Sequence, residues 1–268
     1  MTLAAANLRT KAMTEFARYP SLADTAVIIS GGASGIGESL VRNFAAQGAR
    51  VGFVDIAVDA GNRLAEELAA AGRVVKFTPC DVTDTAAYQS AIAGFAAAHG
   101  DALVLVNNAA HDQRHDWAEV TLAYWDDRMA VNLKHAFFAI QAVAPGMIAA
   151  GRGSIINTGS ISWMVMTPRI PIYETAKAAT HGLTRAMARE LGKSGIRVNS
   201  LIPGAVLTER QLSHWLDAAA LKQIEANQAL AGHVYPDDVA RMALFLAADD
   251  SAMISAQQFV VDGGWASA

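Results

Sequence analysis

Short apolar, β-branched runs alternate with longer amphipathic stretches along almost the whole chain. Strands are predicted at 26–30, 50–55, 74–78, 103–106, 154–157, 197–202 and 258–262. Helices are predicted between them, at 36–47, 59–71, 85–98, 122–150, 173–193, 209–231 and 236–248. The run Leu103-Val104-Leu105-Val106 is apolar at every position, as a strand covered on both faces must be. Strict alternation of this kind is built by right-handed crossovers and gives a parallel sheet between two helical layers. The expected fold is therefore α/β, three-layered and doubly wound, with a seven-stranded parallel sheet. Pro145 is expected to kink or restart the helix at 122–150.

Composition narrows the class further. Of 268 residues, 53% are hydrophobic and 17% charged, enough apolar mass for one extensive core. No repeat and no linker interrupts the pattern, so residues 25–268 are expected to form one domain. Residues 1–24 precede it as an extension, ended by Pro20 and Ser21. Lys plus Arg is 21 and Asp plus Glu is 25, a formal charge of -4. That balance provides no basic footprint for nucleic acid or membrane. Cys80 is the one cysteine, so no intramolecular disulfide forms, and the seven histidines show no HExxH spacing for a metal. No apolar run near the start reaches signal-peptide length, and a cytoplasmic chain is expected. The uncharged stretch after His135 falls short of a spanning helix and reads as a buried one.

The first predicted strand empties into Ser30-Gly31-Gly32-Ala33-Ser34-Gly35-Ile36-Gly37. Glycines there let the backbone turn sharply and approach a pyrophosphate seated at the next helix N-terminus. The spacing of Gly31, Gly35 and Gly37 is GxxxGxG, and alone it could be only a tight strand–helix turn. Asp55, 18 residues beyond Gly37 at the end of the second strand, strengthens the functional reading. An acid there grips ribose hydroxyls, although it could equally cap a helix. A carboxylate at Asp55 repels a 2′-phosphate, and Ile56 beside it brings no cation, so NAD is expected over NADP.

Tyr173 and Lys177 stand at i and i+4 and share a helix face. A nearby ammonium stabilises phenolate, so Lys177 is expected to lower the Tyr173 pKa and create a base for an alcohol proton. Ser160 follows the fifth strand, where ligands of α/β sheets bind. Each has a plain alternative: a surface Tyr–Lys pair and a turn serine.

Taken in order, these residues resemble the short-chain dehydrogenase/reductase family, over residues 24 to 265. The likeness also rests on Asp81-Val82, Asn107-Asn108-Ala109-Ala110, Asn132, and Pro203-Gly204 with Thr208 beyond. Two departures are visible: Ser30 where the family usually has Thr, and Ala110 where it usually has Gly. The resemblance implies a Rossmann-type domain with Tyr173 as general base, Ser160 on the substrate oxygen and Lys177 on the nicotinamide ribose. It gives Asn132 a part in a water-linked relay; the bland alternative is an amide bonding a helix kink. The cofactor residues it implies are Gly31, Ser34, Gly35, Ile36, Gly37, Asp55, Ile56, Asp81, Val82, Asn108, Ala109, Tyr173, Lys177, Pro203, Gly204, Val206 and Thr208.

Candidate substrate contacts are Asp112 and Arg114 in the polar loop after the fourth strand, together with Ser160, Trp163, Arg169 and Glu174. Solvated loop, core packing and helix capping are their respective alternatives. Within the family the sequence is most similar to bacterial sugar 1-dehydrogenases of the xylose, arabinose and fucose types. Tyr19-Pro20-Ser21-Leu22, Gly159-Ser160-Ile161-Ser162-Trp163 and Tyr173-Glu174-Thr175-Ala176-Lys177 carry that likeness. It implies oxidation of an aldose at C1 to the lactone by an NAD-dependent homotetramer acting on a small sugar or polyol. The alternative is a reductase of another carbonyl class, such as a 3-ketoacyl thioester, a ketose or a steroid.

Overall fold

The computed structural model describes residues 16–266. Seven strands form one sheet: β1 (Ala26–Ser30), β2 (Arg50–Asp55), β3 (Val75–Pro79), β4 (Val104–Asn107), β5 (Gly153–Thr158), β6 (Ile196–Pro203) and β7 (Gln258–Val261). Their spatial order is β3-β2-β1-β4-β5-β6-β7, and every pairing is parallel. The chain winds outward from β1 to one edge, returns to β4, and winds outward to the other. That reversal opens a crevice between the carboxyl ends of β1 and β4.

Alternation along each strand divides the core in two. Val27 and Ile29 of β1 face one helical layer, while Ile28 faces the other; Val104 and Val106 oppose Leu105 in the same way. The first layer is α1 (Gly35–Ala46), α2 (Val58–Ala70) and α10 (Pro236–Ala247). The second is α3 (Thr85–His99), α5 (His135–Ala150) and α7 (Pro171–Leu191). Phe44, Phe53, Phe95 and Ile140 are fully buried, each stabilising by about 1.5–3 kcal/mol. Asp84 starts α3 by accepting from the Ala87 N–H at 3.0 Å.

Two helices depart from the sequence pattern. The region 122–150 breaks, but not at Pro145, which sits inside an uninterrupted α5. The break is a π turn at Ala130–Lys134, between α4 (Leu122–Met129) and α5. Asn132 lies in this turn, and its Nδ2 donates to the Arg128 carbonyl at 2.9 Å. The combined helical run reaches 29 residues, so length and hydropathy alone would permit a membrane span. Its side chains Ala139, Ile140, Val143 and Met147 are instead buried in the second core.

The pattern at 209–231 resolves into α8 (Glu209–His214) and α9 (Ala218–Asn227). Asp217 restarts the chain by accepting from the Ala219 and Ala220 N–H groups at 3.0 and 2.8 Å. A short helix, α6 (Ser162–Val165), follows β5.

Residues 1–15 of the expected extension lie outside the described residues. Pro20 does not end a segment: it opens the one-turn helix Pro20–Leu22, and Leu22 is buried in the first core. The Tyr19 N–H donates to Gln47 Oε1 at 2.9 Å, tying this stretch to the end of α1.

Candidate active site

A cleft of about 1530 Å³ runs along the carboxyl edge of the sheet. At its floor, Gly31 turns with φ +67°. Gly37 packs so closely on that turn that a Cβ would stand 1.7 Å from the Gly31 carbonyl oxygen. Only glycine fits there, and the close packing brings the start of α1 to the cleft. Ser34 precedes α1 without a side-chain cap bond, so the first-turn N–H groups are not taken by it. A dinucleotide's pyrophosphate fits this cradle in charge and shape.

Asp55 is fixed at the end of β2. Its Oδ2 accepts from the Ala33 N–H and its Oδ1 from the Ala57 N–H, both at 2.9 Å. It thus braces the turn before α2 while lining the cleft. Arg42, which the sequence reading missed, also lines the cleft. Glu67 holds it bidentately at 2.7 and 2.8 Å, and Glu38 accepts from its Nε at 2.8 Å. The i,i+4 spacing to Glu38 was visible in the sequence; the tertiary partner Glu67 was not.

Ser30 shows why a hydroxyl belongs before the glycine turn. Its Oγ accepts from the Asn108 and Ala109 N–H groups at 3.0 and 3.1 Å. Asn108 returns two bonds through Nδ2, to the Ser30 and Gly31 carbonyls. Ala110 is absent from the positive-φ residues, so the backbone accepts its Cβ. His135, fully buried, contacts the Ala109 carbonyl through Nε2 at 3.1 Å. Burial lowers its pKa to about 3, and the charge of Lys177 adds to that.

Across the cleft, β5 ends at Thr158 and Ser160 follows, while α7 starts at Pro171 and turns Tyr173 and Lys177 inward. Proline at the first helical position suits a group that has no N–H to leave unpaired. Lys177 Nζ donates to the Thr158 carbonyl at 2.7 Å. Burial lowers its pKa to about 8, with Asp112 opposing. Burial also pushes the Tyr173 phenol up, and Asp112 adds to this; a hydrogen bond to Ser160 and the charges of Arg210 and Arg114 pull it down. Desolvation dominates, and the Lys177 amine is itself disfavoured as an ion.

Asn132 has both ends of its amide engaged. Oδ1 accepts from the His111 N–H at 2.8 Å, and Nδ2 donates to the His111 and Arg128 carbonyls. It pins the loop after β4 to the π turn, the role of an amide at a helix irregularity. Asp112 and Arg114 line the cleft, as do all the expected cofactor residues. Trp163, Arg169 and Glu174 do not. Trp163 is half-buried, and its Nε1 has no hydrogen-bond partner among the described residues. Arg169, at φ +68°, offers its carbonyl to the His115 N–H at 2.8 Å. Glu174 accepts from the Thr167 N–H at 2.7 Å, bracing the segment after α6, and burial raises its pKa. Arg169 and Glu174 thus brace the wall of the cleft through these bonds. Arg210 lines the cleft, and so do Gln211, Arg128 and Asp127, which the sequence reading did not assign.

A cleft at the switch point of a doubly wound sheet, glycine turn at one end and phenol at the other, defines a class of dinucleotide-dependent oxidoreductases. The family described as enoyl-(acyl carrier protein) reductase matches residues 31–266. A D-xylose 1-dehydrogenase of Caulobacter vibrioides is 46% identical over 92% of this chain and 98% of its own. A protein of Rhizobium meliloti named probable galactose dehydrogenase is 44% identical, over 92% and 97%. The crystal structure of a gluconate 5-dehydrogenase from Burkholderia cenocepacia, in complex with NADP and tartrate, superposes with a TM-score of 0.86. It is 31% identical and covers 93% of this chain and 98% of its own. The chain belongs to the short-chain dehydrogenase/reductase family.

Proposed function

We propose that this oxidoreductase uses NAD to oxidise an aldose at C1, giving the sugar lactone. The observation that carries the reading is the meeting of Ser160, Tyr173 and Lys177 in one cleft that also holds Asp55. The names of the Caulobacter and Rhizobium relatives support the substrate class. Charge at the substrate end also favours a neutral polyol. Asp112 pairs with Arg210 and Asp127 with Arg128, so neither sign prevails there. An acyl-carrier substrate calls for a basic rim instead.

Ser160 holds the C1 hydroxyl, and Tyr173, ionised to the phenolate by losing its own proton to solvent, accepts the hydroxyl proton as the C1 carbonyl forms. A bound oxidised nicotinamide would supply the hydride acceptor for the C1 hydrogen and a positive charge within the cleft. Lys177 carries the ribose and, through the Thr158 carbonyl, is anchored to β5. Gly31 to Gly37 would hold the pyrophosphate, Asp55 the adenosine ribose, Asp81 and Val82 the adenine, and Pro203 to Thr208 the nicotinamide; all these stretches contribute to the cleft. The preference for NAD rests on the Asp55 carboxylate and on Arg42 being engaged by two glutamates.

A homotetramer belongs to the same reading, because Trp117, Leu122 and Phe137 expose large apolar surfaces around α4 and α5. Light scattering at micromolar concentration tests it, and a monomer defeats it. The reaction is tested with a panel of aldoses, polyols, ketoesters and steroids, each with NAD and NADP, read at the absorbance of the reduced cofactor. Turnover of an aldose to its lactone is expected. Activity confined to ketoesters or steroids establishes the second reading instead.

A further inference from the structure

Two segments meet over the substrate end of the cleft. One is the loop after β4, carrying Asp112 and Arg114; the other is α8 with Trp215 behind it. Arg210 Nη2 donates to Asp112 Oδ1 at 3.0 Å, and Gln211 Nε2 donates to Asp112 Oδ2 at 2.8 Å. Beside them the Arg114 guanidinium lies 5.1 Å from the centre of the Trp215 ring. A six-residue helix such as α8 has little stability of its own and takes its place from tertiary contacts. The Asp112 side chain is only 19% exposed, so water and salt weaken its bonds less than those of a surface pair.

Both carboxylate oxygens are committed to α8. We propose that Asp112 is a positioning residue: it latches α8 across the cleft, and through Arg210 and Gln211 sets the place of the substrate before Tyr173. The inference rests on the aldose reading for its choice of substrate only. Each Asp112 oxygen gives one acceptor site to the opposite wall, which fixes the carboxylate between the two segments. Its charge also bears on both Tyr173 and Lys177, so the latch joins the position of α8 to the groups of α7.

A double-mutant cycle tests the latch. Asp112→Asn, Arg210→Met and the double variant are assayed on the fastest aldose of the wild type, and cofactor affinity is measured by fluorescence quenching. Each single change is expected to lower kcat/KM about ten- to a hundredfold, the worth of a hydrogen bond to a charged group. The double variant is expected to be no worse than the poorer single, since both remove one interaction. Cofactor affinity stays unchanged, and the loss is the same for deoxy analogues of that aldose as for the parent. Gln211→Leu, which removes one of the two bonds, is expected to lose less than Asp112→Asn. Additive losses overturn the latch, and so does full activity in Asp112→Asn. A loss that vanishes with one deoxy sugar overturns it in favour of direct hydroxyl contact. Should the panel find another alcohol class, the same cycle on that alcohol keeps the latch testable while the aldose reading fails.

Discussion

Lys177 Nζ stands 2.7 Å from the Thr158 carbonyl oxygen and 5.6 Å from the centre of the Tyr173 ring. One amine is thereby anchored to the end of β5 while it faces the phenol. The two residues thus depend on each other through α7, although neither relieves the other of the cost of burial. The Tyr173 hydroxyl is the group here that suits transfer of an alcohol proton. Tyr173→Phe is expected to reduce kcat by about 10²–10⁴-fold or more, with NAD affinity nearly intact. Lys177→Ala is expected to damage both quantities. Steady-state kinetics with a cofactor titration check this, and retained activity in Tyr173→Phe sinks the proposed mechanism.

The buried amine also writes a signature into stability. Its pKa is about 8 in the folded chain against 10.5 ordinarily. Between those values the unfolded chain binds more protons, so stability rises with pH. Below pH 8 the folded state carries the full cost of the buried charge, about 3 kcal/mol. Lys177→Met removes this titration. Urea unfolding from pH 7 to 11 is expected to show wild type gaining on the variant between about pH 8 and 10.5. A constant difference between the two contradicts the burial account.

His135 gives the mirror image on the acid side. Its folded pKa near 3 lies below the ordinary 6.5. The unfolded chain therefore takes up a proton first, and stability that is present above 6.5 is lost as pH falls toward 3. The whole loss is about 5 kcal/mol. His135→Gln retains a side-chain donor for the Ala109 carbonyl and is expected to unfold at lower pH than wild type. Circular dichroism during acid titration reads the midpoint, and identical midpoints count against this origin of acid sensitivity.

Cofactor choice is expected to respond in two stages. Asp55→Ser removes the repulsion toward a 2′-phosphate, and adding Glu67→Gln loosens Arg42. The ratio of kcat/KM for NADP over NAD is expected to rise about ten- to a hundredfold in the first variant and further in the second. Binding of adenosine 2′,5′-bisphosphate, followed by calorimetry, supplies a readout independent of turnover. A wild-type enzyme that already favours NADP refutes the role given to Asp55.

Much of this site was legible because its residues sit at fixed points of a repeating unit. Ser160 follows a strand, Asp55 ends one, and Tyr173 and Lys177 open a helix; such places are readable from period and spacing alone. What escaped the reading depends on contacts between distant segments. Nothing local announces that Asp112 meets Gln211, or that Glu67 meets Arg42. Glu174 misled because adjacency to Tyr173 in sequence is not adjacency in space: a neighbouring residue on a helix points elsewhere. Pro145 misled as a breaker because α5 tolerates it, while the irregularity falls at Ala130–Lys134, around Asn132. Asp217 could have been read as a cap, which would have divided 209–231 correctly.

The π turn at Ala130–Lys134 acts as a phase shifter. An extra residue within one turn rotates everything downstream by about 100° relative to an unbroken helix. That offset sets which side of α5 packs beside β4 and β5. Deleting a single residue from 130–134 would make the helix more regular and still turn Ile140 and Met147 away from their places beside β4 and β5. In this enzyme local irregularity is thus what keeps the distant half of the helix in frame.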